Sequence, residues 1–185
     1  PGTLTITASV ALAAGSALNL DIDGPGTGTG AGNHSRLLIT GTLDAGGTLV
    51  PQLRGITGGA TNRFTPALGQ QFAVINAQGG ITGGFSGMTQ PLGLAAGTRF
   101  DALYGANTLT LTVTPESYGA LGLPQSANQI AVGSALDAAR PAAGLAITAP
   151  QSGLYAPLYV LPAASIAPAL EQLSPTIYGD ALMAQ

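Results

Sequence analysis

Short strands and small-residue turns recurring at a fixed interval predict a stacked β-solenoid, with another antiparallel β sandwich as the alternative. The recurrence is the first observation. The run Leu43-Asp-Ala-Gly-Gly-Thr-Leu49-Val-Pro-Gln-Leu53 repeats, 31 residues on, the spacing of Leu12-Ala-Ala-Gly-Ser-Ala-Leu18-Asn-Leu-Asp-Ile22. Leu12 aligns with Leu43, Ala14 with Ala45, Gly15 with Gly46, Leu18 with Leu49 and Ile22 with Leu53. The second is alternation: Leu and Ile fall at every other position among Thr and Asn, the pattern of half-buried strands. The third is composition. Apolar residues reach 45% although aromatics are only 5% and charged residues 7%. The chain therefore has the hydrophobicity to fold, but with the small side chains that suit a narrow interior.

Taken in order, residues 3–22 read as two or three strands, with Leu4 and Ile6 set among Thr3, Thr5 and Thr7, and Leu18, Leu20 and Ile22 among Asn19 and Asp21. The Gly- and Pro-rich stretch 23–33 cannot hold a ladder and reads as a loop. Strands are expected again at 36–40, 48–53, 71–76 and 81–85, with 54–69 as a second loop. Phe72-Ala-Val-Ile75 is a short apolar run that predicts full burial.

The clearest local signal is a hairpin over 98–114. Arg99-Phe-Asp-Ala-Leu-Tyr104 and Thr108-Leu-Thr-Leu-Thr-Val113 flank Gly105-Ala-Asn107, a connection of residues that tolerate positive φ. Leu109, Leu111 and Val113 are expected inward, and Thr108, Thr110, Thr112 and Thr114 outward. After Pro115 the pattern turns helical. Ser126 caps a helix that Pro141 stops, and 141–153 reads as a linker. Leu154, Tyr155, Leu158 and Leu161 have helical spacing limited by Pro157, while Ile166, Leu170 and Leu173 form a stripe. Ser174-Pro175 starts a last helix through Ile177 and Leu182. This β-then-α order places a boundary near 118, with a β unit over 1–118 and a helical, Pro- and Ala-rich connector over 119–185.

The residue inventory narrows the chemistry. There is no Lys, the five Arg are scattered, and the net charge is −3, which argues against nucleic acid and anionic membrane surfaces. The absence of Cys excludes disulfides and Cys-based zinc sites. No apolar stretch is long enough for a spanning helix, and the alternating runs are short for membrane strands and lack aromatic girdles. The chain opens inside a strand pattern, at Pro1-Gly-Thr-Leu-Thr-Ile-Thr7, without an initiator Met. It therefore reads as a processed region or fragment of a larger protein.

Asp21 and Asp23 share a strand face; such a pair suits Ca²⁺ or the acid–base work of a polysaccharide-cleaving enzyme, or is simply a solvated strand end. His34, the lone histidine, has no sequence-near partner and reads as a surface residue. The loop 24–33 lacks the spacing and the following helix of a phosphate cradle. It also lacks the Asp of calcium-binding nonapeptides. Gly179-Asp-Ala-Leu182 is one residue from a Gly-Asp-Ser-Leu esterase block, with Ala181 at the nucleophile position. No catalytic constellation, cofactor site or metal site emerges.

Several blocks, in order, carry a family resemblance. Leu37-Leu-Ile-Thr-Gly-Thr-Leu-Asp-Ala-Gly-Gly-Thr-Leu-Val50, Gly69-Gln-Gln-Phe-Ala-Val-Ile-Asn-Ala77, Ile81-Thr-Gly-Gly-Phe85 and the hairpin ending Leu109-Thr-Leu-Thr-Val113 resemble the C-terminal part of bacterial autotransporter passenger domains. Asn128, Ala131-Val132, Ala135-Leu-Asp137 and Ala169-Leu-Glu-Gln-Leu-Ser-Pro-Thr-Ile-Tyr178 resemble the segment leading into the translocator barrel. Pro175 and Thr176 stand where Gly and Glu are usual. The resemblance implies a mainly β fold: a right-handed parallel β-helix (solenoid) ending in an autochaperone-like β-hairpin cap, followed by a short helical connector. Phe72, Phe85, Phe100, Tyr104, Leu109, Leu111 and Val113 are the expected core of that cap.

The same resemblance implies a non-enzymatic module that supports folding, secretion and display of a passenger at the bacterial cell surface or outside the cell. Its implied partners are its own translocator β-barrel, C-terminal to this chain, and upstream passenger coils. The rival reading is a β-helical adhesin whose Thr-rich faces and loops 24–35 and 54–68 contact host surface, glycan or like molecules on other cells. A β-helical polysaccharide lyase or hydrolase comes third, undercut by the scarcity of acids.

Overall fold

The computed structural model describes residues 1–53 and 64–174. Its first three strands, β1 (Thr3–Ile6), β2 (Val10–Ala11) and β3 (Ala17–Ile22), are followed by β4 (Arg36–Ile39), β5 (Leu43–Ala45) and β6 (Thr48–Leu53). A third triplet follows as β7 (Gln71–Ala77), β8 (Ile81–Gly83) and β9 (Gly87–Met88). Each strand pairs in parallel with the one three places later, giving sheets β2-β5-β8 and β3-β6-β9 and the row β1-β4-β7. The hairpin β10 (Thr98–Tyr104) and β11 (Thr108–Pro115) joins that row antiparallel, with β11 on β7 and β10 outermost. Three helices close the described chain: α1 (Ala127–Ala139), α2 (Ala149–Tyr159) and α3 (Ala163–Gln172).

This architecture corrects the expected mainly β, right-handed parallel β-helix with an appended connector. It is a mixed α/β arrangement of eleven strands, in three small and mostly parallel sheets, with three helices among the described residues. The physical reason lies after Pro115. Tyr118, Leu136, Tyr155, Leu158, Tyr159, Ile166 and Leu170 bury one another in a second apolar core beside the hairpin, so the helices form a packed layer.

The recurrence behind the sequence reading is partly displaced. Leu18 pairs with Leu49 and Ile22 with Leu53 as aligned, but β5 meets β2 two residues earlier than expected, with Val10 rather than Leu12 opposite Leu43. The turn before β3 is longer than its counterpart before β6, where Gly46 and Gly47 suffice. Gly47 turns at φ 76°, and a Cβ there would lie 2.1 Å from the Ser16 carbonyl oxygen of the layer beneath. Glycine is thus required by both conformation and contact. Pro51 sits in β6 beyond the short reach of β9, which pairs with Thr48 and Leu49, so its missing N–H breaks no ladder there.

The principal core runs through all three triplets. Ile22, Leu43, Leu49, Phe72, Val74, Phe100, Leu109, Leu111 and Val113 are fully enclosed. The hairpin tip fastens onto the corner between β7 and β8. The Ala77 and Ile81 N–H groups donate to the Asn107 and Ala106 carbonyls at 2.8 and 2.9 Å. Asn107 Nδ2 also donates to the Ala77 and Gln78 carbonyls, at 3.0 and 2.7 Å. Asn107→Ala should therefore lower stability by about 1–2 kcal/mol. A shifted denaturant midpoint at unchanged slope is the expected readout; an unmoved midpoint would mean the side-chain bonds contribute nothing.

Candidate functional site: the junction between hairpin and helices

The strongest polar arrangement in the described chain lies where β10 and β11 meet the end of α1. Period two in β10 puts Arg99 and Asp101 on one face, and the cross-strand register puts Thr114 opposite Arg99 and Thr112 opposite Asp101. This is the face expected to meet solvent, yet Asp101, Thr112 and Thr114 are all buried. The helical layer covers it. Thr112 Oγ1 donates to the Tyr159 carbonyl at 2.8 Å, in the last residue of α2.

Arg140, the C-cap of α1, enters this face. Its Nη2 donates to Asp101 Oδ2 and Thr114 Oγ1, and its Nη1 to the Pro115 carbonyl at 2.8 Å. The Thr114 hydroxyl in turn donates to Asp101 Oδ2 at 2.6 Å. Arg99 completes the set from the rim, with Nη2 2.9 Å from Asp101 Oδ1 and Nε 3.2 Å from Oδ2. The Asp101 and Arg140 side chains are both only 2% exposed. The guanidinium carbon lies 5.0 Å from the ring centroid of Tyr118 and 5.2 Å from that of Tyr159, so aromatic faces take the place of water around the charge.

The electrostatics follow from this enclosure. Burial disfavours the Arg140 charge, but Asp101 and the two tyrosines outweigh it and hold the guanidinium ionised above its ordinary range. Burial pushes the Tyr118 phenol far above its usual value, against the pull of Arg140. Tyr159 is raised by burial and by Asp101. Among the described residues the Tyr118 hydroxyl has no hydrogen-bond partner; the ring serves through its face. Arginine suits this position because its planar fork reaches four acceptors, the Tyr159 hydroxyl included at 3.4 Å from Nε, while stacking, which an ammonium with three donors cannot do.

A second set of contacts docks α1. Gly133 and Asp137, one turn apart, face the segment 117–119. The Asp137 carboxylate accepts from Ser117 Oγ at 2.6 Å, Tyr118 N at 2.9 Å and Gly119 N at 3.0 Å. Gly133 allows the approach, since a Cβ there would stand 2.3 Å from the Tyr118 carbonyl oxygen. The helix starts as its sequence indicates, with Ser126 and Gln129 forming a capping box. On the other side, Tyr104 Oη donates to the Gly144 carbonyl at 2.8 Å and accepts from Phe85 N at 3.1 Å, joining the hairpin to the stretch before α2. Burial raises the Tyr104 phenol, and the Phe85 N–H tempers that rise.

The structure gathers the expected cap residues. Phe72, Phe85, Phe100, Leu109, Leu111 and Val113 lie buried in the principal core, and Tyr104 is half-buried at its edge. Phe72 and Phe100 meet edge to face at 6.0 Å, Phe72 pairs with Leu111, and Phe100 with Val113. Asp21 and Asp23 are buried, not a solvated strand end, and His34 is buried rather than at the surface. No group of three or more His, Cys, Asp or Glu is placed to hold a metal among the described residues. No helix among them is long and apolar enough to cross a membrane. The expected helix from Pro175, the block 179–182 and most of the loop 54–69 lie outside the described residues.

Sequence reasoning missed Arg140, Asp101 and the tyrosines 118, 155 and 159. A signal was available: in a chain with 7% charged residues, an aspartate inside an apolar strand needs a partner. Chemically, the arrangement is a closed anchor whose charges are consumed internally. No protein family model, curated protein or solved structure matches the chain.

Proposed function

We propose that this chain is a non-catalytic module at the C-terminal end of an autotransporter passenger, supporting passenger folding, secretion and display across the outer membrane of a Gram-negative bacterium. Its partners in this reading are a translocator β-barrel following the chain and further passenger layers preceding it.

One observation carries the reading: the two ends of the strand triplets are finished differently. At the β1–β3 end several core positions lie open, although Leu20 and Ile22 of β3 are enclosed. Leu4 is 61% exposed while its register partner Leu37 is 6% exposed, and Val10 and Leu18 are half-buried while their partners Leu43 and Leu49 are enclosed. At the other end the hairpin covers β7, its tip bonds to β8, and Gly144 packs on Gly87 in β9. On the outer edge of β10 one position is occupied too, where the Gln90 amide accepts from Phe100 N at 2.8 Å and donates to the Phe100 carbonyl at 2.9 Å. An end closed against further pairing, opposite one whose edges accept another layer, orders growth in one direction. It also gives that growth a stable base.

The test is export. With an outer-membrane β-barrel joined at its C-terminus in a Gram-negative host, the chain should reach the surface in a protease-resistant form. Deleting 98–113 should leave the exported strands protease-sensitive. Equal resistance with and without the hairpin would overturn the folding role.

A further inference from the structure

We propose that His34 is an acid-operated latch: neutral, it holds the 23–34 loop against the strands, and charged, it lets that loop open. His34 is the last residue of this Gly-rich loop, and it bridges antiparallel to Ile22 at the end of β3. Its ring is inserted into the core, edge-on to Phe72 with centroids 5.5 Å apart, and the residue is 3% exposed. Among the described residues neither ring nitrogen has a hydrogen-bond partner of good geometry, although backbone of Gly24, Gly26 and Ala73 lies near enough to favour the charged ring. The Gly26 carbonyl is already taken by the His34 backbone N–H at 2.9 Å.

One bond, from Gly30 N to the Pro1 carbonyl at 3.3 Å, ties the loop to the start of the chain, and most of its others are internal. Asp23 N donates to the Asn33 carbonyl at 2.9 Å, Gly32 N to Asp23 at 3.1 Å and Gly26 N to Gly32 at 3.0 Å. The Asn33 side chain accepts from Gly28 N at 2.7 Å and donates to the Thr29 carbonyl at 3.0 Å. Such a loop moves as a unit on the residue that plugs it into the core.

The charges around the ring do not rescue an imidazolium. Arg36, two residues on in β4, adds a repelling charge. Asp21 precedes Ile22 in β3, so alternation places its side chain on the opposite face, where its carboxylate meets the Pro1 ammonium at 3.2 Å; Asp23 follows the strand and is buried. β7, which supplies Phe72, has no charged residue. Burial therefore dominates and lowers the His34 pKa below 6.5, with Arg36 adding to it and the facing backbone opposing. The neutral ring is bound when the loop is closed, and the ring charges when it is released. Closed-state stability is then complete above pH 6.5 and is lost as pH falls through that value toward the lower closed-state value.

The chain has one histidine, so its ring resonances report this site alone. The experiment follows the imidazole of the full chain by NMR from pH 8 to 4.5, with amide exchange read in parallel and corrected for intrinsic rates. The ring should titrate below 6.5. In step with it, amides of Asp23, Gly26, Gly32 and His34 should lose about tenfold protection, while those of β7 and β11 keep theirs. In His34→Phe, which retains the apolar plug, loop protection should be flat across this range. A ring titrating at or above 6.5, loop protection indifferent to the titration, or β7 opening together with the loop would overturn the latch. So would the same acid response in His34→Phe; if that variant fails to fold, the wild-type titration decides alone.

Discussion

Arg140→Ala is expected to lower stability by about 3–5 kcal/mol, because it leaves the buried Asp101 carboxylate without its principal cation. Arg99 still reaches Asp101 from the rim, at 2.9 Å, which keeps the loss within that range. The substitution also strips donors from Thr114 and the Pro115 carbonyl and empties the slot between Tyr118 and Tyr159. Arg140→Lys should recover little, since an ammonium cannot serve four acceptors and stack at once. The pair is best tested as a cycle. Asp101→Ala alone leaves a buried guanidinium, and the double variant should cost less than the sum of the singles. Replacing both by apolar residues of similar volume should come close to wild type. The chain has no Trp and five Tyr, so near-UV circular dichroism reads the tyrosine layer directly. Loss of that signal with the β signal retained would place the damage in helix docking. A loss under about 1 kcal/mol for Arg140→Ala would mean the junction is a wet surface pair and no anchor.

What the sequence made legible was local. The strand over 48–53, that over 71–76 and the hairpin with its Gly105-Ala-Asn107 connection were readable because alternation and turn chemistry act over a few residues. The inward faces of Leu109, Leu111 and Val113 followed from the same alternation. Thr112 and Thr114 show where this stops. Alternation says that they share a face apart from Leu111 and Val113; whether that face is wet depends on what packs over it. Here it is Tyr159 and Arg140, residues 47 and 26 positions away. A threonine hydroxyl satisfied by a carbonyl or carboxylate is as acceptable inside as outside.

The first helix starts and stops as read, but the second begins earlier for a related reason. Pro157 argued for an irregular turn or a short helix after a linker over 141–153, and α2 runs from Ala149 to Tyr159 through that proline. Burial of Tyr155, Leu158 and Tyr159, with Tyr155 Oη 2.6 Å from the Leu136 carbonyl, offsets the missing backbone bond. Pro168 inside α3 is tolerated likewise, with Ile166 and Leu170 enclosed on either side of it. Helical spacing was visible, but the surface it packs on lay some forty residues back, in β10 and β11. The same distance hid Asp101 from Arg140.

Phe72→Ala should be as damaging as loss of the ion pair, at about 3–5 kcal/mol, for a different reason. Phe72 sits in β7, the strand shared by the parallel row and the hairpin, opposite Leu111. Its ring meets Phe64 and Phe100 edge to face, each at 6.0 Å, and His34 at 5.5 Å. Truncation therefore opens a cavity that hairpin, parallel strands and loop all border, and ladder pairing on both sides of β7 restrains its collapse. Phe72→Leu, which refills most of the volume, should cost roughly half as much. The two variants also separate packing from electrostatics. Alanine admits water to His34 and should move its pKa back toward 6.5, whereas leucine should leave it depressed. Denaturant unfolding gives the first effect and the single imidazole resonance the second. A loss below about 1.5 kcal/mol for the alanine variant, with the imidazole unmoved, would show that this ring is a peripheral filler and that the hairpin is held to the strands mainly by its backbone bonds and Asn107.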